Sequence, residues 1–170
     1  MNSRAPAKSM VITAAIMAAW IAYEGYTAGP VIPTKGDVPT IGHGSTVYED
    51  GTRVTMADAP ITRQRAYELA YNLHDQTYGQ CVRQSLGNTP VLPQEFAIAV
   101  DFAGQYGCKA WANSSMLRET KRGNYTPACN AYLRYKFAAG YDCSTPGNRR
   151  CLGVWTRTQK RAADCAEAQP

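Results

Sequence analysis

The chain of 170 residues lacks most features that mark metal-binding, nucleic-acid-binding or repeat proteins. It has two histidines and no Cys-x-x-Cys pair, so the usual spacing of zinc ligands is missing. It has no lysine and arginine run of the kind that binds nucleic acid, and its formal charge of +5 is mild. Repeats and low-complexity segments are also missing. These absences favour one ordinary globular domain, for which we expect no metal, no other cofactor and no nucleic-acid partner.

Cysteine is missing from the first third of the chain, and all six cysteines follow it: Cys81, Cys108, Cys129, Cys143, Cys151 and Cys165. An even number of cysteines favours disulfides and an oxidising compartment. Cys143 and Cys151 bracket a Ser-Thr-Pro-Gly-Asn loop, so we predict a disulfide between them. The other four cysteines allow three connectivities, among which the sequence does not choose.

The chain also lacks an apolar run long enough to serve as a stable membrane anchor. Met10–Tyr23 is uncharged, but its 14 residues rise about 21 Å as a helix, less than the ~30 Å of membrane hydrocarbon. The polar residues 1–9, with Arg4 and Lys8, are predicted to be a flexible N-terminus. Basic residues before an apolar stretch are typical of an export signal, but no Ala-x-Ala cleavage pattern follows. Two interpretations stay open: a buried first helix, or an uncleaved signal that enters the membrane, leaves it and then packs as that helix.

The residues after the apolar run divide into a small lobe and a helical lobe. Val38–Thr46 and Val47–Thr55 are predicted to be short strands, with Asp50-Gly51 as a hairpin turn. Thr62 suits the N-cap of a long helix that continues to about Cys81. The boundaries follow from these elements: small lobe 24–61, connecting helix 62–82, helical lobe 83–165 and tail 166–170.

Helical periodicity dominates the second half of the chain. We predict helices over Pro93–Phe102 and Ser114–Thr120. A third is expected to start at Thr126, with proline as its first helical residue, and a last one to start at Thr156. The predicted fold class is therefore α+β and mainly helical, with a small β-containing lobe, a larger helical lobe, a long helix joining them and a cleft between.

One stretch carries residue types that suit cleavage of a glycosidic bond. Residues 24–46 read EGYTAGPVIPTKGDVPTIGHGST, in which Glu24 follows the apolar run and Asp37 and Thr40 follow a loop broken by glycine and proline. The reaction needs one carboxylic acid that protonates the leaving oxygen and another polar group that positions or activates water. An acid at the end of an apolar helix that faces a cleft is expected to keep its proton. Glu24 is therefore the candidate general acid.

This stretch resembles the active-site signature of the phage-type lysozymes, glycoside hydrolase family 24. The matching residues are Glu24-Gly25 and Val38-Pro39-Thr40-Ile41-Gly42, and the resemblance continues colinearly in residues 114–118, 123–129 and 153–165. It spans roughly residues 20–165 and implies a lysozyme-like fold. The apolar run directly before the acid resembles phage endolysins that carry a signal-anchor-release segment.

The resemblance implies an endo-acting muramidase that hydrolyses the β-1,4 bond between N-acetylmuramic acid and N-acetylglucosamine in peptidoglycan. Glu24 matches the general acid, and Thr40 matches a threonine whose hydroxyl helps to hold the attacking water. Gln105 and Tyr106 match a polar segment that binds the sugar, and Arg157 matches an arginine that pairs with the catalytic glutamate. The same resemblance implies a monomeric endolysin of the host periplasm.

Two positions depart from the family pattern. The family's aspartate usually lies about six residues before the threonine, where this chain has Thr34, whereas Asp37 lies three residues before Thr40. Asp37 is either the catalytic partner of Glu24, delivered by a loop of different length, or the cap of a turn. The family's histidine falls at Ser45, so the resemblance assigns no role to His43.

Three functions are compatible with the sequence. The first is a hydrolytic muramidase, exported by residues 10–23 with transient contact to the inner membrane. The second is a lytic transglycosylase on the same fold, which forms an anhydro product without water. The third is a non-enzymatic protein that binds the cell wall or disrupts membranes through residues 10–23.

Overall fold

The computed structural model describes residues 3–14, 17–18, 21–22, 25–33 and 36–170. The chain is mainly helical with three small two-stranded sheets among the described residues. It forms two compact units, one of residues 11–80 and one of residues 1–10 together with 81–170. Within the described part of the chain, none of the helices combines the length and the hydropathy that a membrane crossing needs.

The unit of residues 11–80 begins in the apolar run. Residues 10–13 are not helical, whereas the described residues 14, 17–18 and 21–22 are. The helix predicted over residues 10–23 therefore begins later than expected, after residue 13. Ile12 and Met17 are buried, as apolar residues in this run should be.

A short antiparallel sheet follows in this unit. Strand β2 (Thr27–Val31) pairs with β3 (Thr40–Gly42), with Thr27 opposite Gly42 and an irregularity in register along the pair. The predicted strand over residues 38–46 is thus shorter than expected, and its partner is the earlier segment after Gly25. The predicted strand over residues 47–55 is reduced to one bridge, between Val47 and Arg53. The Asp50-Gly51 turn is confirmed, because the amide of Gly51 donates to the carbonyl of Tyr48 at 3.0 Å.

A continuous helical run follows the sheet. Helix α1 (Arg63–Asn72) passes into a π-helical segment (Leu73–Gly79) and then into α2 (Gln80–Leu86). The predicted cap is confirmed, since the Thr62 side chain accepts a hydrogen bond from the Arg65 amide at 3.1 Å. The run extends past the predicted end at residue 82, and the boundary between the two compact units falls after Gln80.

Helix α1 holds the sheet of its unit in place. Ile41, Val54 and Leu69 form a buried cluster that joins the strand region to the helix. On the surface, the Arg65 guanidinium donates two hydrogen bonds of 2.7 Å to the two carboxylate oxygens of Glu49. This pairing lowers the pKa of the Glu49 carboxyl to about 2. Apolar packing and this ion pair both tie the turn after β3 to α1.

The second unit contains five further helices and two more strand pairs in its described residues. Its helices are α3 (Pro93–Tyr106), α4 (Cys108–Ala112), α5 (Ser115–Lys121), α6 (Tyr125–Ala131) and α7 (Leu152–Glu167). A 3₁₀ turn (Tyr132–Arg134) follows α6, and β5 (Phe137–Ala138) and β6 (Tyr141–Asp142) form a hairpin that the sequence did not predict. Phe96, Phe102 and Trp111 are among its largest fully buried side chains.

Two predicted helix starts in this unit are wrong, whereas the helix predicted over residues 114–120 is confirmed as α5. The Ser114 side chain caps α5 by accepting a hydrogen bond from the Leu117 amide at 3.0 Å. Helix α6 begins at Tyr125 instead of after Thr126. Pro127 still fits there, because its missing N–H lies in the first turn, where backbone donors have no intrahelical acceptor. Helix α7 begins four residues before Thr156, whose hydroxyl bonds the Leu152 carbonyl from within the helix at 3.1 Å.

All six cysteines form disulfides, and all three bonds lie within this second unit. Cys143–Cys151 is confirmed, with a sequence separation of 8 residues. The other two bonds are Cys81–Cys108 and Cys129–Cys165, separated by 27 and 36 residues. Cys129–Cys165 joins α6 to α7, so it constrains a long loop of the unfolded chain.

The expectation of a flexible N-terminus over residues 1–9 is wrong for the described residues 3–9. Strand β1 (Ala5–Pro6) pairs antiparallel with β4 (Pro90–Val91), and a 3₁₀ turn (Ala7–Ser9) follows it. Ala7 is fully buried. The sequence missed this docking because its partners lie more than 80 residues away in the chain.

Candidate active site

Thr40 is held by the short sheet. It is the first residue of β3 and lies opposite Val31 of β2. Its hydroxyl donates a long hydrogen bond of 3.4 Å to the Val31 carbonyl, and its side chain is half-buried. The remaining lone pairs of the hydroxyl are available to a water molecule.

Close packing and backbone conformation explain why the Thr-Ile-Gly turn ends in a glycine. Gly42 has a φ of +66°, in the left-handed region that side chains with a Cβ avoid. A Cβ built there would lie 2.9 Å from the Ala66 Cβ and 3.3 Å from the Ile61 Cδ1. The end of β3 therefore approaches α1 as closely as a glycine allows, and this contact fixes the position of the strand that carries Thr40.

Glu24 lies outside the described residues, but the residues directly after it are well anchored. The His43 ring bonds through Nδ1 to the Gly25 carbonyl, so Nδ1 carries the proton. The Tyr26 hydroxyl donates to the Ile61 carbonyl at 2.7 Å, and its ring lies 5.8 Å from the His43 ring. The sequence assigned no role to His43, which the structure places against the backbone of the residue that follows Glu24.

Asp37 lies in the exposed connection between β2 and β3, three residues before Thr40. Thr34, the position at which the family pattern expects its aspartate, lies outside the described residues. Both interpretations of Asp37, as the catalytic partner of Glu24 and as the cap of a turn, therefore stay predictions. Among the described residues, no three His, Cys, Asp or Glu side chains come together as a metal site would require.

Gln105 and Tyr106 lie at the C-terminal end of α3. Gln105 is exposed, whereas the Tyr106 ring packs 4.8 Å from Phe102 and 5.3 Å from Tyr135. The Tyr106 hydroxyl donates to the Tyr135 carbonyl at 3.4 Å. Tyr106 thus contributes to the aromatic packing of its own unit, and a contact of either residue with sugar stays a prediction.

Arg157 has a carboxylate partner that the sequence did not indicate. Its Nη2 donates to Oδ1 of Asp101 at 2.6 Å, and Arg161, one helical turn later, donates to Oδ2 of the same residue at 2.5 Å. Asp101 on α3 therefore orients both arginines of α7. The spacing of the arginines was the available signal, because residues four apart lie on one helix face. The predicted pairing of Arg157 with Glu24 lies outside the described residues.

Comparison with known proteins gives a family match and a shared fold. Residues 21–156 match the family model described as phage lysozyme. A search of curated proteins finds no match.

Several solved structures share the fold. An endolysin from the Escherichia coli O157:H7 phage FAHEc1 is 20% identical over 95% of this chain and 96% of its own, with a TM-score of 0.72. A variant of phage P22 lysozyme is 24% identical over 92% of this chain and 99% of its own, with a TM-score of 0.70. The muramidase domain of SpmX from Asticaccaulis excentricus is 18% identical over 95% of this chain and 99% of its own, with a TM-score of 0.70.

Proposed function

The chain belongs to the phage lysozyme family, and from this membership we propose the roles of its active-site residues. It is an endolysin-type lysozyme with muramidase-type activity, and peptidoglycan is its substrate. The observation that carries the proposal is the family match over residues 21–156, which includes Glu24, Asp37 and Thr40 in one colinear stretch. Because peptidoglycan is its substrate, the enzyme acts in the host periplasm.

Glu24 acts as the general acid that protonates the glycosidic oxygen between N-acetylmuramic acid and N-acetylglucosamine. The apolar residues before it favour the protonated form, because burial disfavours the charged carboxylate. Two observations support its positioning: the His43 ring and the Tyr26 hydroxyl fix the backbone directly after it. A backbone held in this way keeps the acid aligned with the bond that breaks.

Water attacks from the opposite face of the sugar. Thr40 holds this water through its hydroxyl, and Asp37 accepts the proton that the water loses. The tight contact of Gly42 on Ala66 supports the role of Thr40, because it fixes the strand that carries the hydroxyl. Gln105 and Tyr106 are proposed to bind the sugar, and Arg157 is proposed to pair with Glu24 and tune its acidity.

A second reaction on the same substrate has one observation in its favour. Asp37 is exposed and stands three residues before Thr40 instead of about six. An enzyme without a well-placed base would complete the reaction internally, giving an anhydromuramic end. This alternative is a lytic transglycosylase.

The proposed route to the substrate uses residues 10–23 as an uncleaved export segment, with transient contact to the inner membrane. The protein is proposed to act as a monomer. The basic residues before the apolar stretch support this route.

Product analysis separates the two reactions. Purified peptidoglycan is digested with the wild type, with Asp37→Asn and with Asp50→Asn, an exposed aspartate of the same unit that caps a turn. We expect reducing muramic ends from the wild type and Asp50→Asn, and a large loss of rate for Asp37→Asn. Anhydro ends about 18 Da lighter, from loss of one water in an internal displacement, would assign the transglycosylase reaction, and an unchanged rate for Asp37→Asn would remove Asp37 from the mechanism.

A further inference from the structure

Residues 3–10 make contacts that the proposed enzymatic reaction does not explain. Beside the β1–β4 pairing, the Ala7 amide donates to the Thr89 carbonyl at 3.0 Å, and the Lys8 amide donates to the Gly87 carbonyl at 2.9 Å. The Arg83 guanidinium donates to the Met10 carbonyl at 3.1 Å. We call residues 3–10 the N-terminal clasp. Through these bonds the clasp packs against the unit that contains residues 81–170.

Arg4 is the charged anchor of the clasp. Its Nη2 donates to Oε1 of Glu95 at 2.8 Å and to Oε1 of Gln169 at 2.6 Å. Its guanidinium carbon lies 3.6 Å from the centre of the Tyr125 ring. The clasp therefore joins the N-terminus to α3, to α6 and to the residues after α7.

Glu95 depends on this anchor. Its side chain is only 8% exposed, and that of Arg4 is 19% exposed. The other contacts of the carboxylate are neutral, from the Leu92 amide at 2.7 Å and from the Gln169 amide at 2.9 Å. A buried carboxylate that loses its cation is strongly destabilising, since neutral donors only partly replace the hydration it has lost.

The clasp and a membrane-spanning N-terminus exclude each other. If residues 10–23 cross a bilayer, residues 1–9 lie on one side and residues 24–170 on the other. The partners of the clasp, residues 87–95 and Gln169, are then out of its reach. Cleavage after the apolar stretch would also remove Arg4 and leave Glu95 without its cation.

We propose that the N-terminal clasp is a latch that captures the N-terminus once the apolar stretch has left the membrane and holds the intact chain in its released form. The latch makes release favourable, because docking of residues 3–10 forms hydrogen bonds and a buried ion pair that the membrane-spanning chain lacks. This inference rests on the proposed export route, whereas the contacts of the clasp do not depend on it.

The first experiment measures the clasp in the purified full-length protein. Arg4→Gln removes the anchor, and Lys8→Gln is the matched control, because it removes the same charge from an exposed side chain of the same segment. We expect Arg4→Gln to lower Tm by about 6–12 °C and Lys8→Gln by less than about 2 °C. The Ala7 and Lys8 amides should exchange with deuterium at least about tenfold faster in Arg4→Gln. Equal losses of Tm and equal exchange rates in the two variants would contradict a stabilising role of the clasp.

The second experiment follows release in cells by separating inner membrane from periplasm at fixed times after induction. Loss of a positive charge alone eases passage of the N-terminus across the membrane, so it predicts faster release for both arginine and lysine variants. The latch instead predicts slower release for Arg4→Gln, by about threefold or more, and unchanged or faster release for Lys8→Gln. Glu95→Gln leaves the N-terminal charge intact and keeps an acceptor for the Leu92 amide, and it should also slow release.

The mass of the released protein completes the test. The latch requires the intact chain in the periplasm, and a species that starts at or after Glu24 would contradict it, as would wild-type release rates for both Arg4→Gln and Glu95→Gln. Cleavage of purified peptidoglycan by the released wild type is measured separately. A protein that is released through the clasp but leaves peptidoglycan intact would refute the proposed function and not the latch.

Discussion

Replacing Gly42 by alanine tests whether β3 is held on α1 as closely as the structure indicates. Two costs add at this position. A residue with a Cβ at a φ of +66° is disfavoured by about 1–2 kcal/mol. The new Cβ would also lie 2.9 Å from the Ala66 Cβ, and such overpacking typically costs about 1–3 kcal/mol. We therefore expect Gly42→Ala to lower the free energy of unfolding by about 2–5 kcal/mol and Tm by about 4–20 °C.

Gly51 provides the matched control for this prediction. Its φ is +82°, but a Cβ there would meet nothing within 4 Å, so Gly51→Ala carries the backbone cost alone. We expect a loss of about 1–2 kcal/mol, measured by the same thermal and urea unfolding. The double variant Gly42→Ala with Ala66→Gly should recover part of the difference, because it removes the closest contact.

Equal destabilisation by Gly42→Ala and Gly51→Ala would refute the close packing of β3 on α1. An Ala66→Gly background that left the cost of Gly42→Ala unchanged would do the same. Activity adds a functional readout, since Thr40 lies two residues before Gly42 on β3. We expect Gly42→Ala to lose lytic activity at temperatures where its fold is intact, whereas Gly51→Ala should keep it.

Two further predictions concern charged pairs within the two units. Asp101→Asn removes the partner of both Arg157 and Arg161, and since the Asp101 and Arg161 side chains are only 12% and 4% exposed, we expect a loss of about 3 kcal/mol in urea unfolding. Asp164→Asn, which breaks an exposed pair, should cost less than about 0.5 kcal/mol, and equal costs would contradict the importance of burial. The Glu49 pair predicts a pH dependence: the pKa of this carboxyl falls from 4.5 to about 2 on folding, so its contribution is complete above pH 4.5 and is lost as the pH falls towards about 2. Because both side chains are partly exposed, we expect wild type and Glu49→Gln to differ by about 1 kcal/mol at pH 6 and to converge near pH 2; a constant difference would contradict this assignment.

Local signals in the sequence predicted local structure. Thr62 was recognised as a helix cap because a cap needs only a hydroxyl and the amide three residues later. The Asp50-Gly51 turn and the Cys143–Cys151 bond also lie within short segments, where chain connectivity limits the alternatives. The β5–β6 hairpin was missed because its strands have two residues each, too short for a period of two to appear.

Contacts between distant residues were not predictable in the same way. The Arg4–Glu95 pair joins residues 91 positions apart, and Asp101 is 56 positions from Arg157. Such pairs become visible only once the fold is known, because sequence patterns report which face of an element is apolar and not which elements meet. The candidate site shows the same limit: the sequence offered Glu24 and Thr40 as candidates, but the contacts of His43 and Gly42 depend on what lies against them.

The measurement that tests the enzyme assignment most directly is the digestion of purified peptidoglycan by wild type and Glu24→Gln. Both proteins are first shown to have the same circular dichroism spectrum and Tm, so that a loss of activity reports chemistry and not folding. Removing a general acid typically lowers the rate by about 10²–10⁴-fold, and we expect a loss of this size with binding to peptidoglycan retained. Release of muropeptides by Glu24→Gln at the wild-type rate would contradict the assignment of Glu24 as the catalytic acid.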